Sequence, residues 1–335
     1  MIISRTPFRV SLFGGGTDYP AWFKEHGGAV LGGSIDKYCY ISTRYLPPHF
    51  THKSRIVYSQ EEWVNDNNDI EHPAVRECLK FLNITRGVEI IHQSDLLARR
   101  GIGASSAFVV GLLHTLLSFS TNHISREQLA RQAILVEQDW IKENVGCQDQ
   151  HHCACGGFNH FKFNPDGTTE ITPIDGGYLL QPYLMMFDTG ITRIASEIAR
   201  VQIEQIPNKQ SELQEMSSLV DGAVIALNES RIWDVAYLLN VGWQIKKRLS
   251  DKITTLRIDA IYDTARRAGA LGGKLLGAGG GGYILFFVEP EKHHLVADAL
   301  SDLIYVPFKF ETTGSQIIFR DGEIPEGTGW GEERA

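Results

Sequence analysis

The sequence predicts an α/β protein of α+β type with two domains. Three observations lead there. A chain of 335 residues is long enough for two domains and a sizeable core. Its first half mixes strand and helix patterns, whereas its second half is mostly helical and closes on a sheet. The change falls near Gly176-Gly177, which sets expected domains of residues 1–177 and 178–335. No internal repeat or low-complexity tract interrupts either half.

Composition narrows the function. Apolar residues make up 43% and charged residues 21%, ordinary values for a soluble globular chain. A net charge of −8 argues against nucleic acid as the main partner, because a phosphate backbone calls for a basic face. Small phosphorylated ligands need only a local cluster of donors and stay possible. The start, Met1-Ile2-Ile3-Ser4-Arg5, lacks a signal-peptide core, and the longest apolar runs are too short to span a bilayer. A cytoplasmic protein without a membrane partner is expected. The five cysteines, at irregular spacing, read as free thiols. Cys147, His151, His152, Cys153 and Cys155, with His160 beyond, are zinc-ligand types. Their spacing matches no finger, ribbon or knuckle, so they read as small, partly buried residues lining a turn.

Taken in order, Ile2–Leu12 alternates as a strand carrying Arg9, followed by the loop Phe13-Gly14-Gly15-Gly16-Thr17-Asp18-Tyr19 and a short helix Pro20–Glu25. Thr17 or Asp18 could cap that helix, or Asp18 could accept hydrogen bonds from a polyhydroxylated ligand brought close by the glycines. Ala29–Leu31, Tyr38–Leu46, Val57–Ser59 and Gly87–His92 read as strands, residues 61–71 as an acidic surface segment and Ala74–Leu82 as a helix.

The segment Arg100-Gly101-Ile102-Gly103-Ala104-Ser105-Ser106-Ala107 runs into an apolar helix. Glycines let backbone N–H groups approach a phosphate, and the helix presents its positive end to the same place. A nucleotide triphosphate is one reading; a strand-to-helix turn with a serine cap is the other. Neither the P-loop pattern nor the dinucleotide fingerprint is present. Ser125-x-x-Gln128 is a capping box that opens the next helix, whose stripe is Ala130, Ile134, Glu137 and Ile141. The acid in that stripe is either exposed at its edge or a buried carboxylate held by a partner or a metal.

Gly156-Gly157 precedes a strand Asn159–Phe163, and Tyr183–Phe187 is a strand leading to a helix Ile194–Val201. Long helical stripes follow through Leu213–Leu227 and about Trp233–Leu249, with a further helix Ile258–Ala268 ended by Gly269. Gly272 to Gly282 contains a four-glycine run ahead of the strand Tyr283–Val288, as expected where backbone packs against a ligand or loop. A helix from Pro290 and strands Tyr305–Phe310 and Gln316–Arg320 end the fold.

Three glycine-bearing segments thus stand in fixed order: Thr6–Tyr19, Gly101–Ala107 and Lys274–Gly282. Together they resemble the GHMP small-molecule kinases over nearly the whole chain. Phe13–Pro20 and Ile35-Asp36-Lys37-Tyr38 look most like the bacterial D-glycero-D-manno-heptose 7-phosphate kinases. The resemblance implies a ribosomal-S5-like N-terminal β/α domain, a ferredoxin-like C-terminal domain and an active site between them. It implies ATP over Arg100, Gly101, Ile102, Gly103, Ala104, Ser105 and Ser106, with Ser106 and Glu137 as Mg²⁺ ligands. Asp149 takes the position of the catalytic aspartate and Arg9 that of the basic residue beside it. Gly15, Gly16, Thr17, Asp18, Gly157, Gly279 and Gly280 fall on the substrate side. Galactokinases carry Glu-His where this chain has Gly15-Gly16, a change that makes room and removes a negative charge, as a sugar bearing a terminal phosphate would require. Lys37 and Arg193 are the basic groups expected to hold that phosphate. The implied reaction is phosphorylation of the anomeric hydroxyl of a heptose 7-phosphate, for nucleotide-activated heptose and surface glycans. Another sugar, or a non-catalytic sensor, is the alternative, and a homodimer is compatible with either.

Overall fold

The computed structural model describes residues 1–120, 124–192 and 195–321. The chain runs β1 (Ile2–Phe13), α1 (Pro20–His26), β2 (Gly28–Tyr45), β3 (Ser54–Val57), β4 (Glu61–Val64), α2 (Pro73–Phe81), β5 (Val88–Ser94) and α3 (Ala104–Leu117). It continues through α4 (Arg126–Leu135), α5 (Gln148–Cys155), β6 (Phe158–Phe163), β7 (Thr169–Pro173), β8 (Leu184–Asp188), α6 (Ala195–Gln205), α7 (Gln210–Asn228) and α8 (Ile232–Leu249). Last come α9 (Leu256–Ala268), β9 (Gly272–Leu275), β10 (Tyr283–Phe287), α10 (His293–Ala299), β11 (Ile304–Tyr305) and β12 (Gln316–Arg320).

Two sheets result. The first, of eight strands, has the order β12-β1-β2-β5-β3-β4, with β6 and β7 branching from β2. The second has the order β11-β8-β10-β9. Numbered by chain position within that sheet, its strands lie 4-1-3-2 and all pairs are antiparallel, with helices after the first and third strands; this is the ferredoxin-like arrangement. Residues after Gly177 build the second sheet, but Gln316–Arg320 returns to pair with β1 in the first. Among the described residues no helix is long and apolar enough to cross a membrane.

Several expected elements change. Ala29–Leu31 and Tyr38–Leu46 are one strand, β2, which pairs with β6 through its first half and β5 through its second. Glycines hold the join flat: a β-carbon on Gly33 would lie 2.7 Å from Phe310 and 2.8 Å from Phe158. The expected strand at Val57–Ser59 lies earlier, at Ser54–Val57, and the segment 61–71 contains β4 and the buried Asn67. The Cys/His segment is not a turn but helix α5. Pro290 opens a 3-10 turn before α10, and of Tyr305–Phe310 only Tyr305 belongs to a strand, while Phe310 bridges singly to Ile35. The capping box at Ser125 and Gln128 forms with both hydrogen bonds.

Helix α3 is buried on nearly every face, from Ser106 to Leu116, under β1 and β2 and against α4 and α5. This all-round burial explains its unbroken apolar sequence. Helices α7 and α8 pair and serve both cores: Val220, Ala223 and Leu239 join the first, and Met216, Trp243 and Leu249 the second. They pack on β1 and β2 of the first sheet, and α8 packs on β9 of the second.

Burial sets the response to acid. It holds His92, His114 and His151 near a pKa of 4, against the usual 6.5. His72, His152 and His160 are also lowered by burial. The folded chain therefore binds fewer protons than the unfolded one below pH 6.5, so stability is lost as pH falls toward 4. Buried carboxyls with raised values, Glu137 (about 8), Asp18 and Glu143, act in the opposite sense but are outnumbered. The expected outcome is a lower urea midpoint at about pH 5 than at about pH 7 for the ligand-free protein. An equal or higher midpoint in acid would refute it.

Candidate active site

The glycine-rich loop before α3 is held open by backbone conformation. Arg99, Gly101 and Gly103 have φ values of 61°, 80° and 74°. Gly103 occupies the N-cap of α3, and no side chain caps that helix, so the serine-cap reading of the loop falls away. Ser105 is exposed and Ser106 is buried at 1%. An uncapped helix start beneath a glycine loop keeps N–H groups for an anion.

Arg9 fixes this loop to the rest of the site. Its backbone N–H donates to the Ile102 carbonyl at 3.1 Å, and its Nη1 donates to the Gly101 carbonyl at 2.6 Å. Nε and Nη2 donate to the two carboxylate oxygens of Asp149, each at 2.7 Å. Asp149 lies in the first turn of α5, where the helix dipole favours a negative charge. Arg9 is almost wholly buried at 4% side-chain exposure, while Asp149 keeps 25%, so the carboxylate is the member that can reach an incoming group.

Beside the loop lies a second acid. Ser106 Oγ is 3.1 and 2.9 Å from the two carboxylate oxygens of Glu137, and Gln150 Nε2 donates to the same carboxylate. Glu137 sits in a π-helical turn, Val136–Trp140, that continues α4, and it is fully buried. The acid on the apolar stripe is thus inside. Burial pushes its pKa up to about 8, and the Gln150 and Ser106 hydrogen bonds offset this only partly. The Gln150 Oε1 atom is buried without a partner. A buried carboxylate, a hydroxyl and an orphaned amide oxygen are hard oxygen donors of the kind a Mg²⁺ ion takes.

The loop after β1 lies on the other side of Asp149. Asp18 is buried at 2% and does not cap α1. It accepts from the backbone N–H of Gly16 at 3.0 Å and of Gln148, at the start of α5, at 3.3 Å. Gly146 must lack a side chain, since a β-carbon there would stand 1.9 Å from Asp18 Oδ2. Gly15 and Gly16 line this region.

Other expected residues have different work. Thr17 donates to the carbonyls of Gly14 and Ala29 and accepts from the Ala29 N–H, so its hydroxyl pins the loop to β2. Lys37 is bonded to the carboxylate and carbonyl of Asp36 and does not join the other site residues. Gly157 follows the C-terminal end of α5, opposite Asp149, and bonds to Glu311 and Ser34. Arg193 lies outside the described residues. Gly279 and Gly280 pack on Ile253. Gly282 approaches the glycine loop itself: a β-carbon would fall 2.2 Å from the Arg100 carbonyl, which accepts from Tyr283 N–H at 2.9 Å. Arg100 ties that loop to the second sheet by pairing with Asp188 at 2.7 Å.

Sequence reasoning missed Lys246 and Lys274. Both are buried, at 4% and 5%. Lys274 donates to the carbonyls of Ser11 and Leu12 at 2.7 and 2.9 Å, so β9 of the second sheet grips the end of β1. Lys246 donates to the Gly277 carbonyl at 2.6 Å. The signal for Lys246 was present: it falls on the apolar stripe of α8 with Leu239, Trp243 and Leu249. The Cys/His cluster forms no metal centre; among the described residues no group of three or more His, Cys, Asp or Glu side chains could hold an ion.

Comparison with known proteins places this arrangement. Residues 71–157 match the GHMP kinases N terminal domain and residues 224–305 the GHMP kinases C terminal domain. The chain is 26% identical over 315 residues to the D-glycero-alpha-D-manno-heptose 7-phosphate kinase of Campylobacter jejuni, covering 89% of this chain and 93% of that protein. It is 27% identical over 223 residues to mevalonate kinase of Pyrococcus horikoshii, covering 64% and 63%. Among solved structures, a D-glycero-D-manno-heptose 1-phosphate kinase from Bacteroides thetaiotaomicron superposes with a TM-score of 0.77 at 21% identity, covering 96% of this chain and 100% of the other. Lactococcus lactis galactokinase complexed with galactose superposes with a TM-score of 0.73 at 18% identity, covering 94% of each.

The contact between Gly282 and the glycine loop yields a controlled test. Gly282 and Gly167 both have positive φ, 101° and 86°, but a β-carbon on Gly167 would meet nothing within 4 Å. Gly167→Ala is expected to cost about 1 kcal/mol of backbone strain, and Gly282→Ala about 2 kcal/mol more through the clash with Arg100. Urea unfolding of the two variants measures the difference; equal losses would mean the contact carries no strain.

Proposed function

The chain belongs to the GHMP kinases, and we propose that it transfers the γ-phosphate of ATP to the anomeric C1 hydroxyl of D-glycero-D-manno-heptose 7-phosphate, giving the 1,7-bisphosphate. The observation that carries the reading is the partly exposed Asp149 carboxylate, clamped by Arg9 between the glycine loop and the loop of Gly15, Gly16 and Asp18. Residues 1–177 supply the glycine loop and Asp149, and residues 178–335 supply the C-terminal half of the cleft.

Phosphoryl transfer asks the protein for position and charge more than for covalent chemistry. The N–H groups at the start of α3 and of Gly101 and Gly103 take the phosphates. Asp149 accepts the proton of the attacking hydroxyl. Arg9 holds that carboxylate in place through two charge-assisted hydrogen bonds, one to each oxygen. Asp18, oriented by the N–H groups of Gly16 and Gln148, takes a sugar hydroxyl. Ser106 and Glu137 would hold Mg²⁺, which neutralises charge on the phosphates when bound. Glu137 is suited to this, since a cation relieves the burial that raises its pKa.

Support for a heptose phosphate comes from the Campylobacter jejuni relative and from the side-chain-free Gly15-Gly16. In a second reading the acceptor already carries its phosphate on C1 and the γ-phosphate of ATP goes to another of its hydroxyls, as the name of the Bacteroides protein has it. An ATP-consumption assay across free heptose, its 7-phosphate, its 1-phosphate, galactose, fucose and mevalonate separates these. Activity confined to the 7-phosphate is expected; preference for any other acceptor replaces the reading.

Two variants test the site. Asp149→Asn is expected to fold and bind ATP while kcat drops by about 10²–10⁴, the usual worth of a positioned base. Near-normal turnover would remove Asp149 from that role. Glu137→Gln is expected to raise the Mg²⁺ concentration needed for half-maximal rate by tenfold or more, on the order of 1.4 kcal/mol. An unchanged Mg²⁺ dependence would place the ion elsewhere.

A further inference from the structure

Three polar side chains converge on the place where Gly15 lacks one. Measured from the point a β-carbon would occupy, Gln148 Nε2 is 3.5 Å away, Ser11 Oγ 3.6 Å and Lys246 Nζ 3.9 Å. They come from α5, β1 and α8 respectively. Ser11 is 4% exposed and Gln148 9%. Both Ser11 Oγ and Gln148 Oε1 are buried without a hydrogen-bond partner. Leaving such a group unmet costs about 1–3 kcal/mol. The Ser11 hydroxyl and the Lys246 ammonium can both donate, so an acceptor-rich group completes their side of this place, while Gln148 Oε1, an acceptor, is met by a hydroxyl of the same ligand.

Charge indicates the kind of molecule. Lys274 is buried nearby, and among the described residues no carboxylate pairs with it. Burial lowers its pKa well below the ordinary value, the positive charges of Lys246 and Arg9 add to that, and Asp18 opposes them. Arg9, Lys246 and Lys274 thus lie within electrostatic reach of one another, with Asp18 beside them. An anion offsets the mutual repulsion of these clustered basic groups and a neutral hydroxyl does not. Gln148 directly precedes Asp149 on α5, so a ligand seated on Gln148 extends from the catalytic carboxylate rather than competing for it.

We propose that Lys246, with Ser11 and Gln148 around Gly15, binds the phosphate monoester that the acceptor already carries, and that Lys246 is the residue selecting a phosphorylated sugar over a free one. The proposal rests on the heptose phosphate reading above and gives its phosphate a site, in place of Lys37, whose ammonium is bonded to Asp36. Gly15 is then required for charge as well as room, since an acid there would stand against Lys246.

Steady-state kinetics at saturating ATP with D-glycero-D-manno-heptose 7-phosphate and with the unphosphorylated heptose test it, on the wild type, Lys246→Met, Lys246→Arg, Ser11→Ala and Gly15→Asp. Lys246→Met and Gly15→Asp are expected to raise KM for the 7-phosphate by about tenfold or more, the worth of one charge-assisted hydrogen bond. Lys246→Arg should recover much of the loss. KM for ATP should move little in every variant, and for the two Lys246 variants kcat/KM for the free heptose should move little as well. If the wild type prefers the 7-phosphate and both variants keep that preference, the pocket is wrong and the reading of the enzyme stands. If the wild type shows no preference for a phosphorylated acceptor, the pocket and the phosphate half of that reading both fall. Should Lys246→Met fail to fold by circular dichroism, Gly15→Asp and Ser11→Ala carry the same comparison from β1 and its loop; an unchanged KM for the 7-phosphate in both overturns the proposal.

Discussion

The forked pairing of Arg9 with Asp149 is the interaction on which the rest of the site depends. One side chain meets a carboxylate on α5 and a carbonyl of the glycine loop, while the same residue's backbone meets the next carbonyl of that loop. Strand, loop and helix are thereby held at fixed separations by a planar group with donors in fixed directions, a task for arginine rather than lysine. The pair also dictates its surroundings. A β-carbon on Gly103 would lie 3.2 Å from Arg9 Cγ and 3.4 Å from Asp149 Oδ2, so the loop must be glycine there for space as well as for its left-handed φ. Loss of either partner would leave a buried charge unmet, which is far more costly than the pair itself is stabilising.

The second constraint is that the site belongs to both sheets. Lys274 reaches from β9 to the carbonyls at the end of β1. Arg100 reaches from the glycine loop to Asp188 at the end of β8, and Gly282 lets Tyr283 bond to that loop's backbone. These contacts are polar and buried, so their net contribution to stability is modest. Their directional demands fix how the sheets meet, which apolar packing by α7 and α8 alone would leave less defined. The four-glycine run is the consequence: its backbone has to lie against Ile253, Ile191 and Arg100, where side chains would not fit.

Much of this was legible in the sequence, in ways that follow from its physics. Strands β1, β5 and β6 and helices α2, α7, α8 and α9 declared themselves by periodicity, and α4 by its capping box. Helix α5 did not, because Gln148–Cys155 has no apolar stripe: its buried residues include Gln148, Gln150, His151 and His152. The single strand β2 was read as two because Gly32-Gly33-Ser34 looks like a break, yet those glycines allow Val10, Phe158 and Phe310 to close on a continuous strand. Motif position located Arg9, Ser106, Glu137 and Asp149 together, but could not tell Thr17 and Gly157, spent on backbone bonds, from residues that face the cleft. That distinction lives in hydrogen-bond partners, which spacing does not encode.

Glu137 and Lys246 show what spacing does encode. Each is a charge set into an apolar helical stripe, which local sequence alone would more readily assign to an exposed edge. Both are buried, on opposite sides of Asp149's helix: the acid against Ser106 under the glycine loop, the lysine beside Gly15 under the other loop. Burial of the Glu137 charge is unfavourable, as its raised pKa records. On the reading proposed above, a cation beside Glu137 relieves that penalty, and an anion on the other side accepts from Lys246 and Ser11. A carboxyl at position 137 therefore leaves the fold less stable than an apolar residue there would. On that reading the two ligands are met separately, which gives each half of the cleft its own selectivity while Arg9 and Asp149 keep the distance between them constant.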